Sequence, residues 1–285
     1  MPKFATLGEG YPLRSDYERI ESDERYQSMF AFSQRFLKGN VGLLGEYART
    51  WVPDPLNTWS RRWEYLYAYE KIASLNISPG PRPMRLMDAG SGLTFFSHFL
   101  GEHFTTAEVE CFDYDSLVET TGDRLALKSR AANYSTGDLS SMPFRDRTFD
   151  AIYCISVLEH CRDHKKVISE CARVLTPGGS LILTVDVSLD GKSEIHPNML
   201  REMIAHLGQW FDPIVSYHLL ADNMDEQLIL TTRYSYETSG YKLLPWSRPG
   251  VVSTLRHFLR HGRPPQHPPL NLTCFCMTWI RKGNN

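Results

Sequence analysis

Arg85-Leu86-Met87-Asp88-Ala89-Gly90-Ser91-Gly92-Leu93-Thr94 passes from an apolar run through an acid into two closely spaced glycines. The apolar part, 84–89, has the length of a strand, and a helical pattern follows the glycines. Glycine admits backbone angles closed to other residues and lets a ligand lie against the main chain. A strand, turn and helix in this order sit at the carboxyl edge of an open α/β sheet, where such folds bind ligands. Dinucleotide sites share the Gly-x-Gly, but their Gly-x-Gly-x-x-Gly fingerprint differs here in two ways. Phe95 stands where the third glycine belongs, and Asp88 stands two residues ahead of the first. A carboxylate there repels a pyrophosphate and favours a ligand with a positive end.

Downstream of the turn, short apolar runs alternate with amphipathic segments. The segment 93–104 places Leu93, Phe96, Phe99, Leu100 and His103 on one helical face. Further strands are predicted at 108–112, 130–135, 149–155, 180–187, 213–218 and 270–281, with helices at 165–175 and 198–207. The helix at 165–175 stops at Thr176-Pro177-Gly178-Gly179, a helix-end and turn signal. This alternation predicts an α/β domain around a mostly parallel sheet. The segment 219–269 carries six prolines and breaks the pattern, so it reads as an insertion beside the ligand-binding edge, with 227–232 an alternative sixth strand.

Upstream, Ser78-Pro79-Gly80-Pro81-Arg82-Pro83 marks a boundary by composition. It separates an N-terminal helical extension, 1–80, from the main domain, 81–285. Within the extension, 16–37 and 58–75 read as helices, and the first 70 positions hold fourteen of the thirty-four aromatic residues. Two roles follow for these rings: core packing on the main domain, or an aromatic lid over a substrate pocket.

The 285 residues carry 31 Lys and Arg against 33 Asp and Glu, a net charge of −2. That balance supplies no global basic field and argues against nucleic acid as a partner. No apolar run approaches the ~20 residues that span a bilayer, so no membrane role is expected. Residues 1–11 lack an apolar h-region, which points to a cytoplasmic protein. The six cysteines form no Cys-x-x-Cys pair and read as reduced thiols, with no metal site expected. A His- and Arg-rich stretch, 256–267, reads as a solvated basic face or a site for an acidic partner.

Several acids follow the glycine turn at regular intervals. Asp113 ends the second strand in Cys111-Phe112-Asp113-Tyr114-Asp115, about 20 residues on, where an acid accepts hydrogen bonds from ribose hydroxyls. Asp115 competes for that role, and strand phase favours Asp113. Asp138 in Gly137-Asp138-Leu139 can accept from an exocyclic amine while Leu139 covers a base. Ser156-Val157-Leu158-Glu159-His160 closes the fourth strand. Taken together, this ordered set resembles the class I S-adenosylmethionine-dependent methyltransferases of the small-molecule, bacterial type. The resemblance covers about 84–187, and the terminal strand extends it.

The resemblance implies a Rossmann-like seven-stranded sheet with the last strand antiparallel, and S-adenosyl-L-methionine as cofactor. It implies a cofactor site built from Asp88, Ala89, Gly90, Gly92, Asp113, Tyr114, Asp138, Leu139 and Ser156. Gly90 and Gly92 would lie under the methionine part, Asp113 at the ribose, Asp138 and Leu139 at the adenine, and Ser156 near the sulfonium. Arg62, in a segment that precedes the first strand in some relatives, is placed near the methionine carboxylate. His160 and His196 are the candidate general bases, each competing with a structural role. The implied reaction moves a methyl group to an oxygen or nitrogen of a small-molecule acceptor. A homodimer is compatible with the sequence. Amino-methylating nucleic-acid enzymes of this fold resemble one another in an Asn/Asp-Pro-Pro-aromatic motif, but here Ile155-Ser156-Val157-Leu158 occupies that place. Cytosine-C5 enzymes would need a Pro-Cys there. A non-catalytic cofactor-binding or regulatory protein of the same fold is the alternative, since fold alone does not establish turnover.

Overall fold

The computed structural model describes residues 6–75, 82–126, 132–192, 195–246, 248, 260 and 267–283. The chain opens with α1 (Arg14–Tyr17), α2 (Glu24–Leu44) and α3 (Arg61–Ala73). Asp23 starts α2 by accepting a hydrogen bond from the Arg25 amide at 2.9 Å. The alternating part follows as β1 (Met84–Ala89), α4 (Phe96–His103), β2 (Ala107–Asp113), α5 (Ser116–Ala126), β3 (Ala132–Thr136), β4 (Phe149–Ile155), α6 (His164–Val174) and β5 (Leu175–Ser188). The chain ends with α7 (Pro197–Trp210), β6 (Phe211–Pro213), α8 (Tyr217–Asp222), α9 (Thr232–Ser239) and β7 (Leu272–Arg281).

The strands form one seven-stranded sheet in the order β3-β2-β1-β4-β5-β7-β6. The pairs from β3 through β5 are parallel, and β7 runs antiparallel to both β5 and β6. This is the sheet expected from the sequence. Its central strands are continuous apolar runs because helices cover both faces. Two cores result. One packs Trp63, Leu66, Tyr67, Phe95, Phe96 and Phe99 against one face. The other packs Ile168, Leu200, Met203 and Leu207 against the opposite face.

Three expectations need correction. The sixth strand is not 213–218: β6 is the three residues Phe211–Pro213, and Tyr217 already begins α8. Pro213 has no amide proton to extend the ladder. The alternative at 227–232 is not a strand either; Ile229 makes a single bridge to Leu13, and Thr232 begins α9. The fifth strand also starts earlier than 180, since α6 passes directly into β5 at Leu175 and the register shift between Phe149 and Ala151 takes up the turn. Part of the proline-rich boundary at 78–83, and most of the basic stretch 256–267, lie outside the described residues.

The N-terminal extension is integral to the sheet. Helix α3 lies on β4, β5 and β7, and α2 packs on α4 and α5. Before α1, Gly10 forms an antiparallel bridge with Cys276 of β7. Of the aromatic residues near the N-terminus, Trp63, Tyr65 and Tyr67 are buried in the core, whereas Phe30 and Trp51 stay exposed. Among the described residues no helix is long and apolar enough to cross a membrane, and no group of three or more His, Cys, Asp or Glu could hold a metal.

Candidate functional site

The tips of β1, β2, β4 and β5 converge at the carboxyl edge of the sheet. At the tip of β1, Ala89 is fully buried. Gly90 takes φ +79° and donates its amide to the Phe112 carbonyl at 2.8 Å. A Cβ on Gly90 would lie 2.5 Å from both Val157 methyls. Gly92 takes φ +51°, and a Cβ there would strike the Tyr47 hydroxyl. Both glycines are thus required by backbone angle and by close approach.

Asp113 organises this turn. Its Oδ2 accepts from the Gly92 amide at 2.9 Å and its Oδ1 from the Asp115 amide at 3.1 Å. Burial raises its pKa, against the lowering effect of those amides. Each carboxylate oxygen has two lone pairs, so acceptor capacity remains. Asp115 looks elsewhere: Oδ1 accepts from the Leu117 amide at 2.9 Å at the start of α5, and Oδ2 from Trp51 Nε1 at 3.3 Å. Tyr114, between the two acids, is 73% exposed. Beyond β3, Asp138 is exposed and accepts from the Ser140 amide at 2.7 Å, while Leu139 is buried.

Asp88 plays a different part from the one its position suggests. Its carboxylate points inward, where Oδ2 accepts from Ser97 Oγ at 3.0 Å, and Ser97 lies 3.2 Å from the Tyr153 hydroxyl. Burial lifts its pKa to about 7, partly opposed by Ser97 and Tyr153 and slightly assisted by Asp113. Asp88 therefore ties β1 to α4 beneath the turn.

Arg62 also departs from expectation. Its Nε donates to the Leu56 carbonyl at 2.9 Å and its Nη1 to Glu21 at 2.6 Å. The adjacent residue, one hundred degrees round the helix, is the one that reaches the strand tips. Arg61 Nη1 donates to Glu64 at 2.5 Å and to Ser156 Oγ, and lies 3.8 Å from Asp186 of β5. Ser156 in turn donates to Glu64 Oε1 at 2.5 Å and holds φ +48°. Glu64 is completely buried. Burial alone would raise its pKa, but the Arg61 charge and bonds from Ser156, Thr184 and Arg61 bring it below the usual carboxylate range. Arg61 is held charged: burial opposes the charge, and Glu64, Asp186 and Glu159 outweigh it.

Glu159 completes the cluster. Its Oε1 accepts from the Asp186 amide at 3.0 Å, while Oε2 is shielded from solvent and has no hydrogen-bond partner. Burial and the Asp186 charge push its pKa well above the usual carboxylate value, with Arg61 opposing. Of the two histidines singled out from sequence, His160 is exposed on the 3-10 turn Leu158–His160. His196 precedes α7 and makes no side-chain capping bond. Sequence reading counted Tyr47 and Trp51 among the aromatic residues of the extension and Glu159 at the end of the fourth strand, but assigned no site role to Arg61, Glu64 or Asp186; the i, i+3 spacing of Arg61 and Glu64 was the signal available for that pair.

A methyltransferase-domain family matches residues 87–183. The malonyl-[acyl-carrier protein] O-methyltransferase of Methylococcus capsulatus is 34% identical over 107 residues, covering 36% of this chain and 37% of that protein. The demethylmenaquinone methyltransferase of Deinococcus radiodurans is 27% identical over 124 residues, covering 43% and 48%. The chain thus spans less than half the length of these two relatives. In fold alone, it is similar to phosphoethanolamine N-methyltransferase 2 of Haemonchus contortus, with TM-score 0.51, 15% identity, and coverage of 87% of this chain and 59% of that one. The matched segment contains the glycine turn, Asp113 and the tip of β4, and the sheet around it has the order described above. Residues 87–183 thus match a methyltransferase domain, set in a sheet whose fold is similar to that of a solved methyltransferase.

Proposed function

We propose that the protein transfers a methyl group from S-adenosylmethionine to an oxygen or nitrogen of a small-molecule acceptor. The observation that carries this reading is the turn from Gly90 to Gly92, held at positive φ by both glycines and braced by Asp113 at the sheet's carboxyl edge. That edge is where open α/β sheets receive ligands. The residues present fit the cofactor. Gly90 and Gly92 offer main chain to the methionine part, Asp113 retains acceptor capacity for ribose hydroxyls, and Leu139 supplies an apolar surface for the adenine beside Asp138. Tyr114 flanks the ribose acid. Arg61, in place of Arg62, holds the methionine carboxylate, because its guanidinium is the cation at the tips of β4 and β5.

When bound, the cofactor supplies a methyl group already activated on sulfur. The protein's task is then alignment and exclusion of water. Proximity and orientation supply up to ~7–11 kcal/mol in favourable cases. Tyr47 and Trp51, from the segment that follows α2, and Tyr65 of α3 lie at the edge, which supports the lid reading of the extension alongside its core role. The relatives act, by name, on malonyl-[acyl-carrier protein] and on demethylmenaquinone.

The test is calorimetric titration with S-adenosylmethionine and S-adenosylhomocysteine, followed by detection of S-adenosylhomocysteine with an acceptor panel. Asp113→Ala removes the charged acceptor and is expected to weaken cofactor binding by about ten- to a hundredfold. Unchanged affinity would contradict the assignment. Binding without turnover across amine, phenol, carboxylate and thiol acceptors would favour the non-catalytic alternative.

A further inference from the structure

The cluster at the tips of β4 and β5 is more acidic than its neighbours require. Three carboxyl groups, Glu64, Glu159 and Asp186, face one guanidinium, Arg61. Arg61 is not shared equally. It makes its close contact with Glu64 at 2.5 Å and remains 3.8 Å from Asp186. Glu64 is further satisfied by Ser156. Glu159 is left with one oxygen fastened to the Asp186 amide, and Oε2 buried without a hydrogen bond. A buried acceptor left without a donor is costly. It sits here at the edge where the fold takes its ligands, beside Ser156.

We propose that Glu159 and Asp186 form the seat of an onium cation, a positively charged sulfur or nitrogen centre of the bound ligands. The inference rests on the reading that an S-adenosyl group binds at the glycine turn, and it deepens that reading by assigning the acidic groups that receive the positive centre. Two sources share this chemistry: the sulfonium of the cofactor, and the ammonium of an amine acceptor. Either one gives Oε2 of Glu159 the electrostatic partner it lacks.

The surroundings of Glu159 make the seat responsive to charge. From α3 it faces Arg61, and from β5 it faces Asp186. From β4 it faces Cys154, and beyond its own turn Cys161, both thiols held neutral because burial raises their pKa values. Helix α6, packed beneath the turn, adds Cys171 against Cys161, likewise raised by burial. Without a ligand, burial and Asp186 favour the protonated form of Glu159, with Arg61 opposing. A cation arriving beside the pair favours the carboxylate, and that proton leaves to solvent.

The experiment is calorimetric titration of the full chain near pH 7 in PIPES and in Tris, whose ionisation enthalpies differ, so that released protons are counted. S-adenosylmethionine and S-adenosylhomocysteine differ in the charge on sulfur. If the sulfonium is the occupant, the first ligand releases about one proton more than the second and binds about tenfold more tightly. If an acceptor ammonium is the occupant, the two ligands behave alike. The S-adenosylhomocysteine complex then binds tetramethylammonium with proton release and ignores neopentyl alcohol. Glu159→Gln is expected to abolish the extra proton release and the charge preference while leaving S-adenosylhomocysteine affinity within about twofold. Asp186→Asn provides a second variant should Glu159→Gln fail to fold, and it is expected to reduce the same preference. Equal proton release by both ligands, together with no preference for tetramethylammonium, overturns the proposal while leaving cofactor binding intact. Failure of both S-adenosyl ligands to bind overturns the parent reading as well.

Discussion

Asp88 shows how one residue acquires a role that its place in the sequence does not reveal. Its position two residues before Gly90 marks it as an acid near a ligand, yet its carboxylate turns inward to Ser97. The turn itself was legible, because a positive φ at Gly90 and Gly92 is what the two glycines announce. The direction of a side chain at a strand end was not, since it depends on Ser97 and Tyr153 arriving from α4 and β4. This burial has a pH consequence. The folded chain binds the Asp88 proton up to about pH 7, whereas an unfolded aspartate releases it near its model value of 3.8. Between those values the native state holds more protons than the unfolded state, so stability falls as pH rises. The contribution is fully present below pH ~4, is lost through pH ~7, and is on the order of a few kcal/mol. Asp88→Asn is expected to remove that slope. In urea unfolding, the variant gains on the wild type between pH 4.5 and 7.5; a constant difference would refute this.

At the scale of elements, helix α3 illustrates what periodicity alone can and cannot assign. The pattern at 58–75 identifies a helix, and the resemblance placed Arg62 near the ligand, whereas it is the adjacent Arg61 that reaches Ser156. One residue is about a hundred degrees around a helix, and the buried face was settled by Trp63, Leu66 and Tyr67 meeting the sheet. Helix α6 was the clearer case, with Val167, Ile168, Cys171 and Val174 all inward as the spacing predicts. Asp163 starts it by accepting from the Lys166 amide at 3.0 Å. Asp163→Ala is expected to cost about 1 kcal/mol, seen as a lower thermal midpoint with cofactor affinity unchanged. β6 was the element misread, because Ile214 and Val215 continue the apolar alternation past Pro213 although both are exposed.

For the whole molecule, the decisive contacts join segments distant in the chain. Glu9 Oε2 accepts from Tyr67 at 2.5 Å, Tyr217 at 2.7 Å and the Thr278 amide at 3.0 Å. Its Oε1 lies 3.0 Å from Lys71 Nζ. One carboxylate thus ties the N-terminal segment to α3, α8 and β7, with both charged side chains largely enclosed. Removing one member of such a pair strands the other. Glu9→Ala is expected to lose about 3 kcal/mol in chemical unfolding while the far edge, β1 to β3, keeps its structure. A loss below about 1 kcal/mol would show that the clasp is incidental.

The sequence by itself determined the succession of β1 to β5 and the closing strand β7, the glycine turn and the acid ending β2, because periodicity, turn chemistry and the spacing of polar groups are local properties. Only the tertiary structure decided that Arg61, Glu64, Glu159 and Asp186 meet, and that Asp88 faces inward. Those residues lie on α3, on the turn after β4 and on β5, or depend on partners from α4 and β4. Their relation comes from helix phase and sheet order, which are set when the apolar faces pack together.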